Sequence, residues 1–129
     1  MTPSLISRPF LLLLTQFFAV STVVALFFPL QEYLRHLGVA DASIGFIIGA
    51  DALAALVVQV LITPFVTART ARRWLLAGAL LLALALLLEG SVTDVALFTV
   101  ARLLHGAGFI CVVAALMPLF VLCIPREMS

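Results

Sequence analysis

The 129-residue chain is strongly apolar, with 65% hydrophobic and only 10% charged residues. Soluble domains carry roughly 45–50% apolar and about 25% charged residues, so this composition excludes both an ordinary globular domain and a disordered chain. Seven arginines and six acids leave a net charge of +1, too little to bind the phosphate backbone of a nucleic acid. The composition predicts an all-α integral membrane protein whose first partner is the lipid bilayer.

The amino-terminal half of the chain predicts two membrane helices. The apolar stretch over residues 10–30 is longer than the core of a signal peptide, which is about 7–15 residues, and predicts an uncleaved helix ending near Pro29. A polar loop is expected over residues 31–42. Asp41 and Ser43 are typical of a helix start, and the apolar pattern that follows predicts a second helix over residues 44–65.

The carboxyl-terminal half predicts two more helices. A leucine- and alanine-rich stretch predicts a third helix over residues 74–89, closed by Glu89 and Gly90. The short turn over residues 91–94 makes the third and fourth helices antiparallel neighbours. The fourth helix is expected over residues 95–124, with a kink at Pro118. Since a span needs roughly 20 residues, four crossings account for nearly the whole chain.

The distribution of arginine predicts the orientation in the membrane. Short cytoplasmic loops carry an excess of positive charge. With the amino terminus inside, the inner segments carry five arginines: Arg8, Arg69, Arg72, Arg73 and Arg126. The outer loops then carry only Arg35, beside several acids. We therefore expect a multi-pass protein of the cell (inner) membrane with both termini in the cytoplasm.

The loop between the second and third helices resembles a motif of the major facilitator superfamily, G-x-x-x-D-R-x-G-R-R. Arg72 and Arg73 align with the terminal arginine pair, and Arg69 aligns with the first arginine. Pro64, Ala68 and Ala71 stand where the family has Gly, Asp and Gly.

Four further segments carry the same resemblance. Residues 29–34 read Pro-Leu-Gln-Glu-Tyr-Leu, similar to the P-L-x-x-Y-L pattern after the family's first helix. The second helix opens with Ile44-Gly45 and continues through Gly49. Residues 102–108 resemble the R-x-x-x-G-x-G motif of the fourth helix, and residues 124–127 resemble the segment after it in a bacterial efflux subgroup.

The resemblance implies a function for the intact transporter. It implies proton-coupled efflux of a small-molecule or amphipathic substrate. Such transporters have two six-helix halves, so the chain would be a partial amino-terminal bundle, a fragment inactive by itself that needs the rest of the transporter or another copy. Two alternatives remain: a self-contained four-helix transporter that dimerises, and a non-transporting assembly subunit. The first of these is disfavoured, because small multidrug transporters use a glutamate in their first helix and residues 10–30 contain no acid.

Three ionisable residues inside the predicted spans are the candidates for transport or coupling. Asp51 and Arg102 each lie about seven residues into a helix that begins on the outer side of the membrane. Each is therefore roughly 10 Å below the outer boundary. A charge at that depth costs about 2.5–3.5 kcal/mol and normally has a partner, so the two could form an ion pair. The pair would be either functional or purely structural. His105, three residues after Arg102, is either a proton relay or a neutral, hydrogen-bonded side chain.

The remaining candidates are structural. Gly45, Gly49, Gly106 and Gly108 are predicted to allow close helix packing. The arginines of the cytoplasmic loop, residues 69–73, are predicted to set topology, with a gating clasp as the family alternative. Neither metal-ligand spacing nor a nucleophile–base pair is found, so no metal, cofactor or enzymatic activity is expected.

Overall fold

The computed structural model describes residues 7–25 and 29–123. These residues form α-helices and connecting turns, with no strand among them. The helices are α1 (Arg8–Ala25), α2 (Leu30–His36), α3 (Asp41–Ile62), α4 (Ala71–Ser91) and α5 (Val95–Cys123). A single 3-10 turn, Thr63–Phe65, extends α3. The predicted all-α class is confirmed for the described residues.

Three of the described helical segments are long and apolar enough to cross a membrane: Asp41–Phe65, Ala71–Ser91 and Val95–Cys123. The predicted first span, residues 10–30, includes three residues outside the described ranges. The helix described in this region, α1, has 18 residues. The predicted end of the fourth helix at residue 124, Arg126, and the segment over residues 124–127 also lie outside them. Four spans therefore remain a prediction.

The predicted polar loop over residues 31–42 is wrong, because most of it is helical. Leu30 and Leu34 lie one turn apart on α2 and are both buried, so this short helix has an apolar side that packs against the rest of the protein. Gly38, with φ of 78°, ends the helix in a left-handed conformation. Its N–H donates to the carbonyl of Arg35, and the N–H of Val39 donates to the carbonyl of Leu34, a glycine-based helix stop.

The predicted second helix starts too late, and the predicted third helix is too short at both ends. Helix α3 begins at Asp41, three residues before the predicted start. Helix α4 begins at Ala71 and continues to Ser91, past the predicted end at Glu89 and Gly90. The polar residues at this end predict a stop, but Glu89 is buried against other helices, and that tertiary contact stabilises the last turn.

Helix α5 is the centre of the bundle. It packs against α3, α4 and α1. It runs parallel to α3, as shown by Ile44 and Ile47, which pack on Phe98 near the start of both helices. It runs antiparallel to α4 and α1; Phe10 at the start of α1 meets Phe120 near the end of α5, with ring centroids 5.9 Å apart.

This arrangement gives the bundle two chemically different ends. The cationic end carries four exposed arginines: Arg8, Arg69, Arg72 and Arg73. The mixed-charge end carries both signs: Glu32, Arg35, His36, Asp41 and Asp94. The helix directions alone bring each set together, since α3 and α5 begin where α4 ends.

Candidate functional site

Four ionisable side chains from three helices meet inside the bundle and form what we call the charge cluster. Its members are Asp51 of α3, Glu89 of α4, and Arg102 and His105 of α5. Arg102 Nη2 lies 3.2 Å from Asp51 Oδ2, so the ion pair that equal depth allowed is present. Arg102 Nη1 lies 3.5 Å from Glu89 Oε1, and His105 Nδ1 lies 3.7 Å from the same oxygen.

Side-chain direction explains why Glu89 reaches Arg102. Glu89 lies about 3 Å from the end of α4, whereas Arg102 lies about 10 Å from the start of α5, so their backbones differ in depth. Helical side chains lean toward the amino terminus of their own helix. Because α4 and α5 are antiparallel, Glu89 leans into the bundle and Arg102 leans back toward the turn. The two long side chains therefore converge.

Close backbone contact between α3 and α5 holds Asp51 beside Arg102. Gly106 lies one turn after Arg102, and a Cβ atom there would overlap the carbonyl of Asp51. The same Cβ would also stand 3.2 Å from the backbone nitrogen of Ala55. Any side chain at position 106 would push α3 away and lengthen the ion pair.

A second glycine contact brings α4 against α5. A Cβ atom on Gly78 would lie 2.7 Å from the carbonyl oxygen of Gly108, and a Cβ on Gly108 would lie 2.9 Å from that of Gly78. The two helices therefore cross with their backbones nearly touching. This crossing, on the side of the cluster away from the α4–α5 turn, positions Glu89 over α5.

Burial within the charge cluster is graded. The side chains of His105 and Arg102 are 1% and 3% exposed, and that of Glu89 is 9% exposed. Asp51 is 27% exposed. The cluster thus reaches the surface of the described structure through Asp51.

The charges of the cluster are only partly neutralised by one another. With both carboxylates ionised and His105 neutral, one guanidinium faces two negative charges, leaving one negative charge in an apolar interior. Within the part of the chain described, no group of three or more His, Cys, Asp or Glu side chains is arranged to hold a metal ion. The cluster is suited to holding charges and protons between helices.

The four glycines predicted to pack lie in two different settings. Gly106 and Gly108 lie at the close contacts just described. Gly45 and Gly49 lie on the exposed side of α3, and a Cβ atom on either would meet no described neighbour within 4 Å.

The arginines of the loop between α3 and α4 lie apart from the charge cluster. Arg69, Arg72 and Arg73 are exposed at the cationic end and have no carboxylate within ion-pair distance among the described residues. The loop is held instead by the Thr70 hydroxyl, which donates to the carbonyl of Phe65 at 2.6 Å and accepts from the N–H of Thr67 at 2.9 Å.

The mixed-charge end contains an exposed ion pair. Arg35 Nε donates to Asp41 Oδ1 at 3.0 Å, linking the end of α2 to the start of α3. This hydrogen bond, with the charge of Asp41, raises the pKa of Arg35. Both side chains are largely exposed, so the contact stabilises the fold little.

An apolar groove of about 510 Å³ lies between α3 and α5 on the outside of the bundle. Its lining is formed by aliphatic side chains: Leu53, Ala54, Val57, Val58, Val100, Leu103, Leu104 and Ala107. No polar surface is exposed in it. An acyl chain or a further apolar helix suits such a lining.

Glu89 is the member of the cluster that sequence reasoning missed. The sequence predicts a helix terminus at Glu89, because Gly90 and a polar turn follow it. The sequence offers one signal: Glu89 and Arg102 carry opposite charges on two helices that the short turn makes antiparallel neighbours. Only the side-chain lean and the rotation of each helix, which one sequence does not give, bring the two together.

No protein-family model, curated protein sequence or solved structure matches this chain. The resemblance to the major facilitator superfamily therefore rests on the motifs alone, and function is argued from the charge cluster.

Proposed function

We propose that the chain is the amino-terminal four-helix part of a membrane transporter of the major facilitator type, which exports small or amphipathic compounds in exchange for protons. Three apolar helices support the membrane location. α1 is the fourth span in this proposal. The four exposed arginines at one end support a cytoplasmic position for that end, in line with the positive-inside rule.

The observation that carries the transport function is the charge cluster. Each charge within a membrane costs about 2.5–3.5 kcal/mol, and such residues characteristically mark ion or proton pathways. Asp51 and Glu89 offer two carboxylates to one guanidinium, that of Arg102. An ion pair that only holds two helices together needs one acid for one base. The additional acid gives the cluster a capacity to bind and release a positive charge.

The position of the R-x-x-x-G-x-G segment also supports the proposal. Arg102 and Gly106 both belong to that segment. Arg102 forms the ion pair with Asp51, and Gly106 makes the tightest of the glycine contacts, against the backbone of α3. The apolar groove between α3 and α5 would take lipid, the remainder of the transporter or another copy of the chain. Transport by alternating access needs such an opposing set of helices.

The membrane arrangement can be tested by labelling single cysteines in intact cells. Cys111 and Cys123 are first changed to alanine; Arg72→Cys and Asp94→Cys then report the cationic and mixed-charge ends separately. A membrane-impermeant maleimide should label position 94 from outside, and position 72 only after the cells are opened. The opposite pattern, or labelling of both from one side, would overturn the arrangement.

The transport function can be tested at the gene's own locus in its source cell, with ethidium and Hoechst 33342 as probes. Asp51→Asn should raise the accumulation of a transported dye to the level of a deletion strain, with the protein still present in the membrane. Asp94→Asn, an exposed acid at the mixed-charge end, is the matched control and should not change accumulation. If deletion changes the accumulation of neither dye, export of amphipathic cations is not its function.

A further inference from the structure

Glu89 occupies a distinctive place in the charge cluster. Its Oε1 atom lies between Arg102 and His105, at 3.5 and 3.7 Å. The side chain is nine-tenths buried. Asp51, in contrast, has a closer contact with Arg102, at 3.2 Å, and is partly exposed. The two acids therefore have different roles, with Asp51 as the direct counter-ion of Arg102.

The groups that face Glu89 can be named for each helix packed around it. Asp51 comes from α3, and Arg102 and His105 come from α5. The described part of α1 carries Arg8 as its one ionisable side chain, at the cationic end. The charge cluster then has one negative charge in excess, which one additional proton neutralises.

We propose that Glu89 and His105 share one exchangeable proton, and that this pair is the proton-binding site of the transporter. The inference rests on the proposed function. A proton from water binds to the carboxylate or to the imidazole, and either form turns the pair into a hydrogen-bond donor facing an acceptor. Both forms leave the whole cluster neutral. Loss of the proton restores the negative charge, which attracts Arg102 away from Asp51.

Geometry favours this pair over the other members of the cluster. Arg102 has no accessible neutral form, since a guanidinium stays protonated in proteins. Asp51 has the shorter contact with that guanidinium, 3.2 Å against 3.5 Å for Glu89, and has no histidine beside it among the described ion pairs. Glu89 Oε1 and His105 Nδ1 need to approach by less than about 1 Å to reach a hydrogen-bond distance near 2.9 Å. The partly exposed Asp51 side provides the route to water.

Infrared difference spectroscopy on the purified full chain in lipid nanodiscs, titrated with acid and base, tests the proposal. A protonated carboxyl group has its own C=O band, and carbon-13 labelling of glutamate alone shifts that band to lower frequency. The chain has three glutamates, Glu32, Glu89 and Glu127. We expect a titrating band or imidazole signal that shifts with labelled glutamate or labelled histidine and disappears in Glu89→Gln. A carboxyl band that ignores glutamate labelling and disappears in Asp51→Asn, with no signal that disappears in Glu89→Gln, assigns the proton to Asp51 and overturns the proposal.

Asp51→Asn is the matched variant, because it removes the other acid of the cluster. The Glu89–His105 signal should remain in it, whereas loss of the signal in Asp51→Asn with retention in Glu89→Gln would overturn the proposal. Isotope labelling of the unmodified chain keeps the test decisive even if a variant fails to fold. Absence of any titrating glutamate or histidine signal beyond those of Glu32, His36 and Glu127 would also overturn it.

The outcome is separable from that of the dye experiment. Proton binding at Glu89 is measured without any substrate. If the band is present and neither dye is transported, the proposed export function fails while the proton site stands. If dye transport depends on Asp51 and the band is absent, the proton site at Glu89 and His105 fails while the proposed export function stands.

Discussion

Helices α3 and α5 have similar composition, yet α5 lies at the centre of the bundle and α3 lies on its more exposed side. Both are apolar, both contain a pair of glycines, and both carry charge within the predicted membrane span. In the most apolar window of α5, 39% of residues are buried, against 17% for α3. The glycines of α5 lie where other backbones touch it, and those of α3 lie on an open face. Glycine spacing therefore indicates that close approach is possible, while the surrounding helices decide whether it occurs.

The largest expected effect comes from removing the central cation of α5. Arg102→Met leaves Asp51 and Glu89 without their shared counter-ion, and breaking a buried pair costs about 3–5 kcal/mol of unfolding free energy. Chemical unfolding of the chain in detergent micelles measures this. Arg72→Met, at an exposed position, is the control and should change little. Equal effects of the two variants would contradict a structural role for the charge cluster. Adding Asp51→Asn and Glu89→Gln to Arg102→Met should recover part of the loss.

The glycines test the comparison between α3 and α5 directly. Gly106→Ala places a methyl group on the carbonyl of Asp51 and should destabilise the bundle by about 1–3 kcal/mol through overpacking. Gly49→Ala, with open space around it, should be neutral or slightly stabilising, because alanine favours helix. Thermal unfolding of the two variants under one set of conditions measures the difference. A Gly49→Ala variant that unfolds as readily as Gly106→Ala would show that α3 packs differently.

A smaller effect is expected where α1 meets α5. Phe120→Ala removes the edge-to-face contact with Phe10, a contribution of about 0.5–1.5 kcal/mol beyond simple burial. Hydrogen exchange of the α1 amides should become faster, with α3 and α4 unchanged. Phe46→Ala, at a side chain that is 68% exposed, serves as the control. Uniform acceleration across all helices would mean that α1 is an integral part of one cooperative unit.

The smallest effect is expected at the mixed-charge end. Asp41→Asn removes an exposed contact with Arg35, and about 1 M salt should abolish the small difference from the unmodified chain. The raised pKa of Arg35 means that its contribution is fully present below the ordinary arginine pKa and is lost only as the pH rises through the raised value. The difference should therefore be constant near neutral pH. Thermal unfolding at two salt concentrations checks it, and a salt-independent loss would indicate a packing role for Asp41.

The candidate site was only partly predictable. Asp51, Arg102 and His105 stand out in the sequence because ionisable residues are rare in apolar spans, and counting residues gave Asp51 and Arg102 the same depth. Glu89 was not found, because its position at the end of a span is ordinary for an acid. Its role depends on the antiparallel packing of α4 on α5 and on the rotation of both helices.

The sequence by itself determined that the chain is helical and apolar, roughly where its long helices lie, and that arginines collect at one end. These properties follow from composition and from the charge of individual residues, which act locally. The tertiary structure decided that α5 lies at the centre, that Gly106 rather than Gly49 is the point of closest contact, and that Glu89 joins Asp51 and Arg102. Such facts depend on which faces of several helices meet, and an apolar helix with no polar side has no local pattern that fixes its rotation.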